Sequence, residues 1–371
     1  MELSDLRAQI DEIDSEILGL FSRRMKVCEE VADYKRRNNL PVFQKGREKE
    51  LLAGIKAGAP EEYADGAQVI FSNIMDVSKC IQQSRNLDAS TAFSPEMLDM
   101  EYSGTIACQG VDGAYSCAAG KRLFPSATVE FFPKFDDVFS AVAEGRVKYG
   151  IIPIQNSTAG SVSEAYSLMG KYNFSITAMI RLEINHCLAA KKGTDRKEIK
   201  KVYSHIQALS QCSEYLKSHG FEQVSYDNTA MAAEFVAGSD EAIAAVCSCE
   251  CAEKYGLEII DEKIADVYPN CTRFICISRD FCSTPDADTV SVIVGIPDEK
   301  NSLYRLLTKF SVSGINLSHI ESRIIPGANF EVVFYLDFDG NVSDSRVRTL
   351  LAQLEDEAAY FRFIGNYKEM L

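Results

Sequence analysis

The 371 residues carry a formal net charge of -15, which argues against nucleic acid as a partner, because that binding depends on cations neutralising phosphates. With 46% hydrophobic residues there is enough apolar material for two or three domains. No stretch approaches the roughly 20 uncharged apolar residues of a membrane span, and the N-terminus is charged where a secretory signal would be apolar, so a soluble cytoplasmic protein is expected.

The first forty residues read as one long helix. Leu3, Leu6, Ile10, Ile13, Ile17 and Leu20 alternate three and four apart, the period of a seam buried against other helices. Ser4 is the expected N-cap and Pro41 the stop. Arg24 and Lys35 lie within about 20° of each other around such a helix and about 16 Å apart along it, so their side chains can converge on one small anion. Arg7 is about 25 Å from Arg24, too far to reach the same ligand, and is expected to serve a site on another chain. A second helix over 45–56, opening with Arg47 and Glu48, and a third over 61–86 complete an all-helical module. Its exposed seam predicts that two copies pair.

Residues 88–102, with Asp88, Ser90, Ser94 and Pro95, read as a linker. From Gly104 short apolar strands (105–108, 150–153, 175–180, 201–203 and 242–247) alternate with helical runs (136–144 and 208–218). That alternation is the signature of an α/β sheet, with ligands in the crevice beyond the strand ends. A second break at Ser283 to Asp286 closes the module. The remainder, strand 289–296, helix 302–313, strands 317–323 and 331–337, helix 343–357 and strand 360–365, has the βαββαβ order of ferredoxin-like domains. The expected domains are therefore 1–87, 103–282 and 288–371.

Twelve cysteines are read as free thiols, since Cys247, Cys249 and Cys251 lack the paired spacing of zinc ribbons. The four histidines, at 186, 205, 219 and 319, are scattered, and no metal or other cofactor is expected. Ser78 and Gln82, four apart, share a face of the third helix. With Arg24, Lys35, Arg47 and Glu48 they form a polar set, each of whose members taken alone reads as ordinary surface charge.

As a set, these residues resemble the all-helical chorismate mutases over residues 3–86. That resemblance implies a pericyclic rearrangement of the dianion chorismate to prephenate, which needs positioning and stabilisation of charge on the ether oxygen rather than a nucleophile. It implies that Arg24 and the partner chain's Arg7 clamp carboxylates, that Lys35 and Gln82 donate to the ether oxygen, that Glu48 accepts from the ring hydroxyl, and that Arg47 and Ser78 support them. Gln44 stands where related enzymes often have an aspartate.

In the second module the motifs GVDGAYS (110–116), IPIQNSTAG (152–160), SHIQ (204–207), Gln211-Cys212 and NCTRF (270–274) together resemble prephenate dehydratase over residues 104–280. Its reaction expels hydroxide and carboxylate together as the ring becomes aromatic. By this resemblance Thr272 donates a hydrogen bond to the departing hydroxyl, and Asn156, Ser204 and Gln211 contact substrate. Arg273 is either an anion partner or a structural ion pair. Gln155 replaces the glutamate common in the family. A Ser204–His205 hydrolase dyad is disfavoured because neighbours on an extended segment point apart.

The last module resembles an ACT regulatory domain, with GINLSHIESR (314–323) as its most specific stretch. This implies phenylalanine as an effector held between protomers, with Leu303, Glu321, Ser322 and Arg323 as contacts. Asn301-Ser302-Leu303-Tyr304 replaces a Gly-Ala-Leu sequence, and Ile324 replaces a usual proline. The whole chain thus resembles the bifunctional chorismate mutase/prephenate dehydratases of phenylalanine biosynthesis, which yield phenylpyruvate. The alternatives are an arogenate-preferring dehydratase and a non-catalytic ligand sensor whose helices only dimerise. The polar set of Arg24, Lys35, Glu48 and Gln82 disfavours the sensor, since dimerisation alone does not require it.

Overall fold

The computed structural model describes residues 2–86, 95–324 and 332–371, so residues 88–94 of the expected linker and the first residue of the expected strand 331–337 lie outside the described residues. The chain divides into two compact units, one of residues 1–94 and 288–364, the other of residues 95–287 and 365–371.

In the first unit the opening helix runs Leu3–Arg37 and the next Lys45–Gly58. A single 3-10 turn, Glu61–Tyr63, precedes the third, Ala64–Asn86, so the expected helix 61–86 begins three residues late. Ser4 is not the N-cap. Glu2 caps the first helix in a reciprocal capping box with Asp5, whose longer acidic side chains satisfy two N-terminal amides and suit the positive end of the helix dipole. The helix ends at Arg37, before Pro41 is reached. Leu3, Leu6, Ile10, Ile13, Ile17 and Leu20 are all exposed on the single chain.

The C-terminal part of this unit consists of strands Thr289–Gly295, Leu317–Ile324, Val332–Asp339 and Tyr360–Tyr367 with helices Ser302–Ser313 and Ser345–Glu357. The strands stand in the order Leu317–Ile324, Val332–Asp339, Thr289–Gly295, Tyr360–Tyr367, the split arrangement that a βαββαβ chain adopts when both crossovers are right-handed. Both helices pack against the third N-terminal helix.

Besides a two-stranded pairing of Glu96–Met97 with Cys282–Ser283, the second unit has two larger rows of strands. The smaller runs Leu257–Asp261, His186–Lys191, Ile243–Ser248, Lys201–Ser204, Glu222–Ser225. Successive residues of its strands face opposite sides, so Ala189, Ala245 and Cys247 enter one core while Leu188, Ala190, Ala244 and Val246 enter another. Helices on both faces make these strands near-continuous apolar runs rather than alternating ones. The larger sheet runs Ser175–Glu183, Cys271–Ser278, Tyr149–Asn156, Thr105–Gln109, Thr128–Phe132. Its antiparallel register sets Thr272 opposite Asn156 at the ends of their strands, and that pairing positions the site.

Gly365 lies against the backbone of Ser175–Glu183: a Cβ there would stand 2.3 Å from the Ile176 carbonyl oxygen. The neighbour is main chain and cannot rotate away. Gly365→Ala is expected to destabilise the second unit by about 1–3 kcal/mol, read as a lower urea midpoint.

Candidate active sites

The first site is assembled on the third helix, where Asp76, Ser78, Lys79 and Gln82 are all buried. Arg24 Nη1 donates to Ser78 Oγ and, at 3.5 Å, to the Ile74 carbonyl. Ser78 in turn donates to that same carbonyl at 2.7 Å. Lys35 Nζ reaches the Val42 carbonyl at 2.7 Å, and Glu48 is close enough to act on its charge. Burial pushes the Lys35 ammonium below its ordinary value, with Glu48 pulling the other way. Burial likewise pushes the Glu48 carboxyl up, opposed by Lys79 at 3.3 Å. Gln82 Oε1 is buried without a hydrogen-bond partner.

Arg24, Lys35, Glu48, Ser78 and Gln82 are thus half-buried or buried in one helical module. Arg47 is not brought in: its side chain is 71% exposed and lies 3.8 Å from the exposed Glu50. Position 47 follows Gly46 on the outward face, while Glu48 turns inward, as about 100° per residue dictates. Arg7 is exposed near the free end of the first helix. Sequence reasoning missed Lys79, three before Gln82, and Asp76, three before Lys79: that spacing puts each pair on a shared helix face, but by itself it does not separate them from surface charge.

The second site lies in the second unit and centres on the Asn156 amide. Its Nδ2 donates to Thr272 Oγ1 at 2.9 Å and to Asn270 Oδ1 at 2.8 Å. Its Oδ1 accepts from the Thr158 amide and hydroxyl at 3.0 and 2.7 Å, and from Gln211 Nε2 at 3.3 Å. Gln211 Oε1 accepts from Asn270 Nδ2 at 3.2 Å and lies 3.0 Å from His186 Nε2. Beside this network is a cavity of about 400 Å³ lined by Thr158, Gln207, Ser210, Gln211 and Asn270 among others. Thr272, Asn156 and Gln211 therefore form one connected set.

Two expected members do not join it. Ser204 is fully buried and donates to the Val246 carbonyl at 2.6 Å, holding two strands together rather than facing the cavity. Arg273, one residue on from Thr272 and so on the opposite face, makes a fork with Glu369 at 2.8 and 3.1 Å and donates to Gln155 at 3.1 Å. It is a structural ion pair. No Ser204–His205 dyad exists, since His205 Nδ1 caps the helix Ile206–Gln211. His186 is a site neighbour that sequence reading did not pick out; a lone histidine just before the apolar run Cys187 to Ala190 was its signal. Burial holds its imidazole below the ordinary pKa of 6.5, against the Gln211 hydrogen bond.

The described cysteines are all free, and no metal-holding group of His, Cys, Asp or Glu occurs among the described residues. No helix of the described residues is long and apolar enough to cross a membrane. In the C-terminal part, Glu321 and Arg323 are ion-paired at 2.8 Å on one face of Leu317–Ile324, Ser322 lies on the other face, and Leu303 is exposed.

One chain thus carries a helical polar site built from Arg24, Lys35, Lys79, Glu48 and Asp76 and, in its second unit, a cavity lined mainly by amides and hydroxyls with Asp266 among them, the two-site arrangement of a bifunctional enzyme. Residues 6–83 match the family model for chorismate mutase type II, and residues 106–281 match that for prephenate dehydratase. The chain is 29% identical to the bifunctional chorismate mutase/prephenate dehydratase of Aquifex aeolicus over 100% of its own length and 99% of that protein's. It is 33% identical to arogenate dehydratase/prephenate dehydratase 1, chloroplastic, of Arabidopsis thaliana, over 71% of each chain. The crystal structure of prephenate dehydratase from Arthrobacter aurescens in complex with L-Phe superposes with a TM-score of 0.65 at 29% identity, covering 71% of this chain and 89% of that one. The chain belongs to the bifunctional chorismate mutase/prephenate dehydratase family.

Because folded His186 resists protonation while the unfolded residue accepts a proton near 6.5, the unfolded state binds more protons as pH falls through 6.5. The second unit should therefore be most stable above that pH and lose stability below it. His186→Phe should flatten that slope in urea titrations across pH 5–8. Ser204→Ala should cost about 1 kcal/mol of stability while leaving the KM for substrate within a factor of about two, which steady-state kinetics would check.

Proposed function

We propose that the chain rearranges chorismate to prephenate in its helical module and then converts prephenate to phenylpyruvate, with loss of water and carbon dioxide, in its α/β module. The observation that carries this reading is the coexistence on one chain of the Arg24, Lys35, Glu48, Ser78 and Gln82 set and the Thr272–Asn156–Gln211 network.

In the first site, the Arg24 guanidinium binds a substrate carboxylate, already oriented by Ser78. Lys35 and the Gln82 amide nitrogen donate to the ether oxygen as negative charge builds there, and Glu48 accepts from the ring hydroxyl. Lys35 is half-buried and tied to the Val42 carbonyl and Gln82 is buried, so these donors stabilise the transition state with little reorganisation. Arg7 comes from a second copy, whose seam covers the exposed Leu3, Ile10, Ile13 and Ile17.

In the second site, Asn156 uses one amide hydrogen on Thr272 Oγ1, which leaves the threonine O–H to donate to the departing hydroxyl of prephenate. Threonine is too weak an acid to act alone, so its contribution is positional. Gln211 and Asn270 line the neighbouring cavity and offer amide groups to the substrate carboxylates.

The C-terminal domain is read as an ACT domain that takes phenylalanine, with Leu303, Glu321, Ser322 and Arg323 as contacts. Its βαββαβ strand order and the L-Phe of the Arthrobacter structure support this. Leu317–Ile324 is the outermost strand of its row, which suits a second copy lying alongside. We place the enzyme in the cytoplasm. The relative described as an arogenate dehydratase makes arogenate the competing substrate for the second site.

Chorismate, prephenate and arogenate supplied separately, with and without phenylalanine, should yield phenylpyruvate from the first two. Turnover of none would defeat the reading, and faster turnover of arogenate would reassign the second site. Arg7→Ala and Arg24→Ala, each inactive as a mutase, should recover part of that activity when the two proteins are mixed and their subunits exchange. No recovery despite demonstrated exchange would contradict the shared site.

A further inference from the structure

We propose that Lys79 is a positioning residue of the mutase site that holds the Glu48 carboxylate, and that Glu357 and Lys309 of the C-terminal domain set the charge of this contact. The inference rests on the reading of Glu48 as the acceptor for the substrate's ring hydroxyl.

Lys79 Nζ stands 3.3 Å from Glu48, 2.9 Å from Asp76 and 2.8 Å from Glu357, a partner 278 residues away in sequence. An ammonium has three N–H donors, and here three carboxylates face them. No proton is left for substrate, so Lys79 acts through its partners rather than on the reacting atoms. Lys309 Nζ joins the same group, 2.7 Å from Glu357 and 3.7 Å from Asp76. The Phe43 ring lies 5.4 Å from the Lys79 nitrogen. Side-chain exposure is only 7% for each lysine and 6% for Asp76, so water screens these charges little.

Stability alone gives no reason for such a cluster, since apolar side chains of similar volume would fill the space at less cost in desolvation. What charge does here that apolar side chains cannot is hold a neighbouring carboxylate ionised. The charged groups around Glu48 are Lys35 from the first helix, Lys79 and Asp76 from the third, and Glu357 with Lys309 from the two C-terminal helices. Burial, Glu357 and Asp76 push the Glu48 carboxyl up, and Lys79 opposes them. Glu357 itself, which burial would raise, is held below its ordinary value by Lys309 and Lys79 and so stays charged. The mutase site is in this sense completed by the C-terminal domain.

The test is mutase kinetics on the full chain from pH 5 to 9, with the helical circular dichroism and urea unfolding of the same samples as the folding check. Lys79→Met should lower mutase kcat/KM at least tenfold at pH 6 and move the acid limb to higher pH, because Glu48 loses the cation and keeps two carboxylate neighbours. Lys79→Arg should restore part of both. Glu357→Gln should move the acid limb the other way, to lower pH, since it removes a carboxylate that opposes Glu48. Should Lys79→Met fail to fold, Glu357→Gln alone decides. Acid limbs that stay in place, or that both move in the same direction, would overturn the proposal. Lys35→Ala serves as the control: full mutase activity in that variant would overturn the underlying site assignment and this inference with it.

Discussion

Polar side chains withdrawn from water need partners inside the protein, and both sites of this chain are built by that constraint. In the helical module the Lys79 ammonium gathers three carboxylates around itself, and in the α/β module the Asn156 amide gathers Thr272, Asn270, Thr158 and Gln211. Each centre is saturated, which fixes the orientation of its neighbours to within a hydrogen bond's tolerance. Buried atoms with no partner mark where that saturation stops. Gln82 Oε1 and Asp76 Oδ2 lie in the first site and His186 Nδ1 beside the second.

The two sites use the constraint for different chemistry. A pericyclic rearrangement creates transient charge and breaks no bond to hydrogen, and on the proposed reading the helical site meets it with charged groups, Arg24, Lys35 and Glu48, as electrostatic partners. Loss of hydroxide needs a donor and a place for the leaving group rather than a strong field. The α/β site presents mainly amides and hydroxyls, with Asp266 also lining its cavity, and burial holds the His186 imidazole below its ordinary pKa. Arg273, the nearest cation in sequence to Thr272, is turned away and held by Glu369.

Periodicity made much of this legible in advance. The 3.6-residue turn placed Ser78 and Gln82 on one face and Arg24 and Lys35 on another, and the βαββαβ order of the last domain could be read from apolar runs and breaks. Tertiary partners were not legible. Ser204 sits in a motif with the look of a substrate contact, yet whether its hydroxyl meets a ligand or the Val246 carbonyl depends on a strand 42 residues later. Arg273 is open between two roles in the sequence, and its partner Glu369, 96 residues on, decides between them. Lys79 and Asp76 look like ordinary helix-surface charges from their own neighbourhood, because Lys309 and Glu357 arrive from the opposite end of the chain. Local pattern reports which face a residue occupies; what covers that face is a property of the fold.

The central claim, that Lys79 acts on the mutase reaction through Glu48, is tested most directly by a double-mutant cycle on mutase kcat/KM. If Lys79 works only by holding the Glu48 carboxylate, the Lys79→Met, Glu48→Gln double variant should be no slower than Glu48→Gln alone. Losses that multiply in the double variant would show that Lys79 acts independently of Glu48 and would contradict the account.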